Sequence, residues 1–425
     1  MARPLIIGLS SYLPPHITSC EELYKLRVEE NKYTGWASYI SASLIAHGSG
    51  KYEVGPVILP SLCRRTLRIP MRDFGVWIAA EEFPVKKISR GLRDYSNYNQ
   101  VASFIKEVAK THGEVILHAQ GLFSVNFARQ LLYLYKELKK MGIVIVAQQQ
   151  SSPPYKYYNE AYPGLKTRIF SIIAELLYRS RARFIDGYIV MNKKTYSYLV
   201  DERGIDKELV IYQHDGVDFE KVSPEKYSNR EETQWPSGCA QKLILVSHIT
   251  RDFGGYTKGV TLAPKILKEL NRQGYRACLT IVGDIIDTEL ARWLREKGVV
   301  LTGHLRHNEA LEYIASADIY ILPAHPRRYY GGITVAVIEA LALNKPVVSP
   351  TLEHVPRDDI VKYLGVKTPW VTEKTLKDFI DAVIYAIDNY ESFKPRQYAQ
   401  KIYDIRVMVA NIERLYYNAI KNNEK

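Results

Sequence analysis

The feature that most constrains this chain is an alternation that runs, breaks and runs again. In the first half the apolar runs PLIIGLS, EVILHA, GIVIVA, DGYIVM and ELVIY predict strands, and Trp36–His47, Val125–Lys140, Thr167–Tyr178 and Lys193–Glu202 predict helices. Unbroken apolar runs belong to strands covered on both faces. Strands separated by helices are parallel and joined by right-handed crossovers. The stretch VSPEKYSNREETQWPSGCA, from Val222 to Ala240, is polar, carries Pro224 and Pro236, and has no apolar period. It reads as a linker. The alternation then resumes with KLILVS, ACLTIVG, GVVLTG, ADIYILP and PVVSP. Helices are predicted near Gly259–Arg272, Asp287–Lys297, Asn308–Ala315, Thr334–Leu343, Leu376–Tyr390 and Ile405–Lys421.

The expected architecture is α/β, with two doubly wound, Rossmann-like domains facing across a cleft. Residues 1–221 form the first domain, 222–241 the linker and 242–395 the second domain. Residues 396–425 form a final helical segment that packs back toward the first domain. The 425 residues suit two domains. Open α/β sheets bind ligands at the carboxyl ends of their strands.

No apolar run approaches the ~20 residues of a membrane span. Pro4–Ser10 is too short for a signal peptide and reads as a first buried strand. Cys20, Cys63, Cys239 and Cys278 are scattered and form no CxxC pair. That spacing argues against a zinc knuckle and for a reducing, cytoplasmic setting. No metal-ligand cluster is visible. The net charge of +12 asks for an anionic partner: nucleic acid, an acidic membrane surface or phosphorylated substrates. The excess is spread over both halves without a recognition-module signature, so nucleic acid is not expected.

In TKGVTLAPKILKEL, Lys258 and Gly259 precede an amphipathic helix, where a lysine can meet a diphosphate at the helix's positive end. In GGITVAVIEALALNKPVV, Gly331 and Gly332 lead straight into an apolar helix, opening the backbone N–H groups of Ile333 and Thr334 to a phosphate. Glu339, inside that helix, suits a ribose diol; the plainer alternative is a surface glutamate paired with Lys345.

These segments, in this order with LVSHITRDFGGYTKGV, LTIVGD and LTGHLRHNEALEYIASADIYILPA, resemble family 4 of the glycosyltransferases, retaining enzymes of GT-B fold. In the first half, ILHAQG and DGYIVMNKKTYSYLVDERGIDKELVIYQHDGVD resemble segments of the family's N-terminal domain. The resemblance implies that Lys258 and the backbone after Gly332 bind the donor diphosphate and Glu339 the ribose. Gly303 and His304 would lie near the nucleobase, His118 beside the transferred sugar, and Gly35 in a turn receiving acceptor or donor phosphate. Two departures stand out. Gly331 occupies the place of a family acid that contacts the donor sugar. His248 stands where the family has an arginine, leaving Arg251 as the expected second phosphate clamp. The HPRRYY stretch offers His325, Arg327, Arg328, Tyr329 and Tyr330 as alternative contacts.

The function expected is therefore transfer of a sugar from a nucleotide-sugar donor to an acceptor, with retention, without a cofactor and without a bound metal. The alternative is a non-catalytic GT-B protein that binds nucleotide sugars, for which the missing acid at Gly331 speaks. Two basic segments, SLCRRTLRIPMR with Arg64, Arg65, Arg68 and Arg72, and KTRIFSIIAELLYRSRARF, fit either peripheral docking on an anionic membrane near a lipid-linked or surface glycan acceptor, or a solvated basic face.

Overall fold

The computed structural model describes residues 3–9, 19–21, 36–63, 67–71, 75–89, 92–95, 98–120, 122, 128–149, 153–161, 164–227, 235–246, 257–285 and 287–424. The chain forms two compact units, Met1–Gln213 with Val409–Lys425, and His214–Met408. The expected boundary at residue 221 moves to His214. Val217, Phe219 and Val222 are buried in the core of the second unit, so burial draws them out of the first.

The first unit is built on a nine-stranded sheet ordered β3-β4-β2-β1-β6-β7-β8-β9, with β5 paired to β4. Its central strands are β1 (Leu5–Leu9), β6 (Val115–Gln120), β7 (Val144–Gln148), β8 (Gly187–Val190) and β9 (Val210–Tyr212), all parallel. These are the five apolar runs of the sequence. On the other side of β1 lies β2 (Glu53–Ser61), then β4 (Gly75–Ser89), which pairs antiparallel with β3 (Leu67–Met71) and β5 (Leu92–Tyr95). The sequence pattern did not mark these four strands, because Pro56, Pro60, Pro70 and interleaved charges break their alternation. One basic segment expected to dock on lipid, SLCRRTLRIPMR, thus contains β3; Arg64, Arg65 and Arg72 lie outside the described residues.

Helices α1 (Trp36–His47), α2 (Tyr98–Ala109), α3 (Ala128–Lys139) and α4 (Leu165–Ala182) belong to this unit. One face of the sheet buries Leu5, Ile7, Leu117 and Ile145 against Val101 and Ile105 of α2, Leu134 and Leu138 of α3, and Ala174 and Tyr178 of α4. The chain's last helix returns here. Glu413 accepts hydrogen bonds from the Ser49 N–H (2.8 Å) and Oγ (3.0 Å), and its carbonyl accepts one from Tyr52 Oη (3.1 Å).

The second unit has a parallel sheet ordered β12-β11-β10-β13-β14-β15. Its strands are β10 (Gln241–Val246), β11 (Ala277–Val282), β12 (Val300–Leu301), β13 (Ile319–Ile321), β14 (Val347–Val348) and β15 (Gly365–Val366). Leu243 and Leu245 face a core with α5 (Ala263–Arg272), α6 (Thr288–Glu296) and α9 (Leu376–Asp388). Ile244 and Tyr320 face the opposite core, with α7 (His307–Ser316), α8 (Val335–Ala342) and α10 (Pro395–Tyr403). The final segment is two helices, since α11 (Ile405–Asn423) follows α10 and crosses to the first unit at Val409. The strand order reverses between β10 and β13, and at such a point the loops after the two strands run apart and leave an opening.

The four cysteines, read from their spacing as evidence of a reducing setting, are brought together as Cys20–Cys63 and Cys239–Cys278, with Cα–Cα distances of 4.8 and 5.7 Å. The cysteine pattern thus gives no support to a reducing compartment. Each bridge closes a loop of about 40 residues, and such a link restricts the unfolded chain by ~2–4 kcal/mol. Protein denatured without reductant should titrate essentially no thiol by a chromogenic disulfide reagent. Cys239→Ser with Cys278→Ser should lower the unfolding temperature by several degrees.

Candidate functional site

The loops that follow β10 and β13 are tied together by backbone. Gly259 adopts φ 73°, and a Cβ there would lie 2.2 Å from the Pro323 carbonyl oxygen. Only glycine permits this approach. The His325 N–H then donates to the Thr257 carbonyl at 3.0 Å. Lys258 is thereby held against the 3₁₀ turn Pro326–Gly331. That turn is braced by Tyr329, whose ring lies 4.7 Å from His354 and 5.4 Å from Trp370. Trp370 in turn donates to Glu353 at 2.9 Å.

Lys258 and Arg328 face one another electrostatically, and among the described residues neither meets an anion. Burial, and then the nearby guanidinium, lower the Lys258 pKa to about 7. Burial also depresses Arg328, whose Nε is enclosed without a hydrogen-bond acceptor. Two cations sharing a partly desolvated place repel, and an anion between them would relieve both the repulsion and the lost hydration. The expected second clamp, Arg251, lies outside the described residues, as do His248 and Gly35. Arg328, one of the alternatives in HPRRYY, is the guanidinium that the structure brings to Lys258.

The start of α8 adjoins this turn. Gly332 has φ 60° and ψ −155°, a conformation open to glycine, and Thr334 caps the helix with no side-chain hydrogen bond. The N–H groups of Ile333, Thr334 and Val335 lead the helix dipole and have no intrahelical acceptor. Gly331 needs no glycine: a Cβ there would meet only Arg328 Cγ, at 3.7 Å. The absent acid is a matter of chemistry, not of space.

Glu339, on the first turns of α8, is buried, and its carboxylate bonds His307 Nε2 at 2.6 Å. Lys345, the plain structural partner, instead lies in the fields of Asp318 and Lys242. The hydrogen bond that Glu339 accepts from His307 raises that histidine's pKa. Asp215 is a second carboxyl beside Glu339: burial first, then the Glu339 charge, push its pKa well above the usual carboxylate range. Its Oδ1 has no hydrogen-bond donor. The sequence reading missed His307 and Asp215, although both stand in the quoted segments LTGHLRHNEAL and YQHDGVD. Gly303 follows β12 with φ 72°, forms a bridge with Gly283, and is followed by an exposed His304.

His118 is corrected. It is buried, with Nδ1 2.7 Å from Tyr416 Oη and Nε2 2.7 Å from Gln148 Oε1. Burial lowers its pKa to about 4. Both ring nitrogens are engaged, so it pins α11 to the sheet of the first unit and has none left for a sugar.

Residues 241–389 match the family described as Glycosyl transferases group 1. A stretch of 55 residues is 38% identical to a protein named for teichuronic acid biosynthesis, the glycosyltransferase TuaC of Bacillus subtilis; it spans 13% of each chain. The whole chain is similar in structure to the UDP-forming trehalose-phosphate synthase of Burkholderia xenovorans, with TM-score 0.63, 11% identity and full coverage of both chains. It is similar to HepE of Anabaena in complex with UDP, with TM-score 0.59, 13% identity and 98% and 100% coverage. A glycosyltransferase of Rickettsia africae aligns with TM-score 0.60, 15% identity and 99% and 100% coverage. The fold is GT-B.

The His307–Glu339 pair carries a signed pH dependence. Because the folded-state pKa of His307 is raised, its contribution is complete below the ordinary histidine pKa and is lost as pH rises through the raised value. His307 is largely exposed, so the effect is ~1 kcal/mol or less. Chemical denaturation of His307→Gln should show a loss at pH 5.5 that disappears by pH 9.

Proposed function

We propose that this chain is a glycosyltransferase of family 4 type that moves a sugar from a nucleoside-diphosphate sugar to an acceptor with retention of configuration. The observation that carries this reading is the meeting of Lys258 and Arg328, without a counter-anion among the described residues, where the strand order of the second sheet reverses. A diphosphate answers that demand. Its oxygens accept from the Lys258 ammonium, the Arg328 guanidinium and the N–H groups of Ile333 and Thr334. Glu339 accepts from the ribose hydroxyls, and its His307 contact yields to them. Gly303 and His304 lie toward the base.

The difficult step is departure of the nucleoside diphosphate as its bond to the anomeric carbon breaks. Charge accumulates on the leaving oxygen. Fixed cations and helix-terminal dipoles stabilise it more than they stabilise the bound donor. Lys258 and Arg328 supply this field from the chain itself, so a bound metal is not required. The acceptor is a glycan, lipid-linked or displayed at an anionic membrane surface. Gly331 favours one second reading, a GT-B protein that binds donor without turnover.

Titration calorimetry with uridine, guanosine and adenosine diphosphates tests the site. Lys258→Ala and Arg328→Ala should each weaken binding of the preferred diphosphate by ~10-fold or more, the range of a charged hydrogen bond. Glu339→Ala should weaken it less, and Gly331→Ala least. Unchanged affinity in Lys258→Ala would remove the lysine from the site. Radiolabelled donors with membrane-extracted acceptors separate the two readings, since tight binding without product favours the non-catalytic one.

The Lys258 pKa near 7 gives an independent signature. A bound anion raises it toward the ordinary lysine range. At pH 8.5 binding should therefore take up a proton, and at pH 5.5, where the lysine is already charged, it should not. Calorimetry in buffers of different ionisation enthalpy measures the uptake, which Lys258→Ala should abolish.

A further inference from the structure

Helix α4 packs Ala174 and Tyr178 into the core yet keeps a second, aliphatic face in solvent. Its buried residues are Ser171, Ala174, Glu175, Tyr178 and Arg181. Glu175 accepts from Tyr198 Oη at 2.7 Å, and Arg181 donates to the Leu122 carbonyl beneath the helix. The solvent side carries Leu165, Ile169, Ile172, Ile173 and Leu176, between 54% and 76% exposed. A surface helix ordinarily turns such residues inward. At helical spacing they form one stripe roughly 100° wide. Arg168 and Arg179 border one side of it, Lys166 the other, and Arg183 stands at its C-terminal end; all four are exposed. Most of the exposed large aliphatic side chains among the described residues lie on this helix, so it is a patch and not scatter.

We propose that this face of α4 lies in the interface of an anionic lipid bilayer. The stripe sinks to the level of the acyl chains while the flanking lysine and arginines reach lipid phosphates. The pattern of apolar centre and cationic margin decides the occupant. A bilayer needs both, and the margin's excess of positive charge, in a chain of net charge +12, repels a second copy of itself. The helix is too polar on its inner face to span the membrane, and among the described residues no helix is long and apolar enough to cross one. The inference deepens the membrane-surface acceptor proposed above. It rests on that reading for its purpose, though its geometry stands alone.

Co-sedimentation with vesicles tests it. Wild-type protein should bind phosphatidylcholine vesicles containing about a third phosphatidylglycerol, and bind pure phosphatidylcholine far more weakly. Ile172→Ser with Ile173→Ser should reduce binding ~10-fold or more. Lys166→Gln with Arg168→Gln should reduce it and flatten its salt dependence. All four positions are exposed, so thermal unfolding should stay unchanged and certify the fold of each variant. Equal binding by wild type and the isoleucine variant, or no binding to anionic vesicles, would overturn the proposal. So would self-association of wild type in sedimentation velocity that the isoleucine variant abolishes. Nucleoside-diphosphate affinity, measured on the same variants, separates the two readings: loss of lipid binding with intact nucleotide affinity bears on α4 alone.

Discussion

The parallel pairing of strands is the constraint on which everything else in this protein depends. A parallel neighbour cannot be reached by a tight turn, so the parallel strands are joined by crossovers, and the loops that leave their carboxyl ends emerge on the same edge. The chain repeats this in two sheets, with opposite outcomes. In the first unit polar side chains at the edge of the central strands bond one another, although Gln148 Nε2 stays buried without an acceptor among the described residues. His118 bonds Gln148, and Gln149 accepts from Asn192 and from the Met191 backbone. In the second unit the strand order reverses between β10 and β13, and the loops there deliver Lys258 and Arg328 to one place without an acceptor among the described residues.

Local choices that work against stability gather at three positions. Like charges are brought together at Lys258 and Arg328, two carboxyls adjoin at Asp215 and Glu339, and α4 turns aliphatic residues to water. A fold selected only for stability would relax each of them. The first two lie in the second unit, and under the function proposed above one ligand would relieve both: anionic phosphate the cations, hydroxyl donors the carboxyls. The third lies on the first unit, and lipid is the solvent that would relieve it. The surrounding structure supports these conflicts rigidly. Gly259 is wedged on Pro323, and the Tyr329–His354–Trp370 cluster leaves the turn carrying Arg328 little freedom.

Much of this was written in the sequence. Fully covered parallel strands must be continuous apolar runs, and the ten runs that marked strands lie in strands. Trp36–His47 and the start of the last helix at Ile405 came directly from periodicity. Lys258 ahead of one helix, and Gly332 and Glu339 at the start of another, stood out in the sequence because they are local in the chain; the donor roles proposed for them come from the resemblance. The mixed edge of the first sheet was not legible. Prolines and interleaved charges interrupt the apolar runs of β2 to β5, so their pattern carries no period, even though Val57, Ile58 and Leu59 of β2 are fully buried.

Tertiary structure alone decided the remainder, because each remaining fact is a meeting of residues distant in sequence. Spacing could not say that Cys20 meets Cys63 or Cys239 meets Cys278. It could not say that His307, 32 residues away, and not the near Lys345, takes the carboxylate of Glu339. Which arginine would face Lys258 depended on how two loops leave two neighbouring strands. The histidine of ILHAQG could by sequence be a packing residue or lie beside a sugar; α11 returned and placed Tyr416 on it. Periodicity also shows only that α4 has two faces. Which of them is buried was settled by the neighbours: Ala174 and Tyr178 join the core, Tyr198 meets Glu175, a backbone carbonyl takes one Arg181 nitrogen, and the aliphatic side is left out.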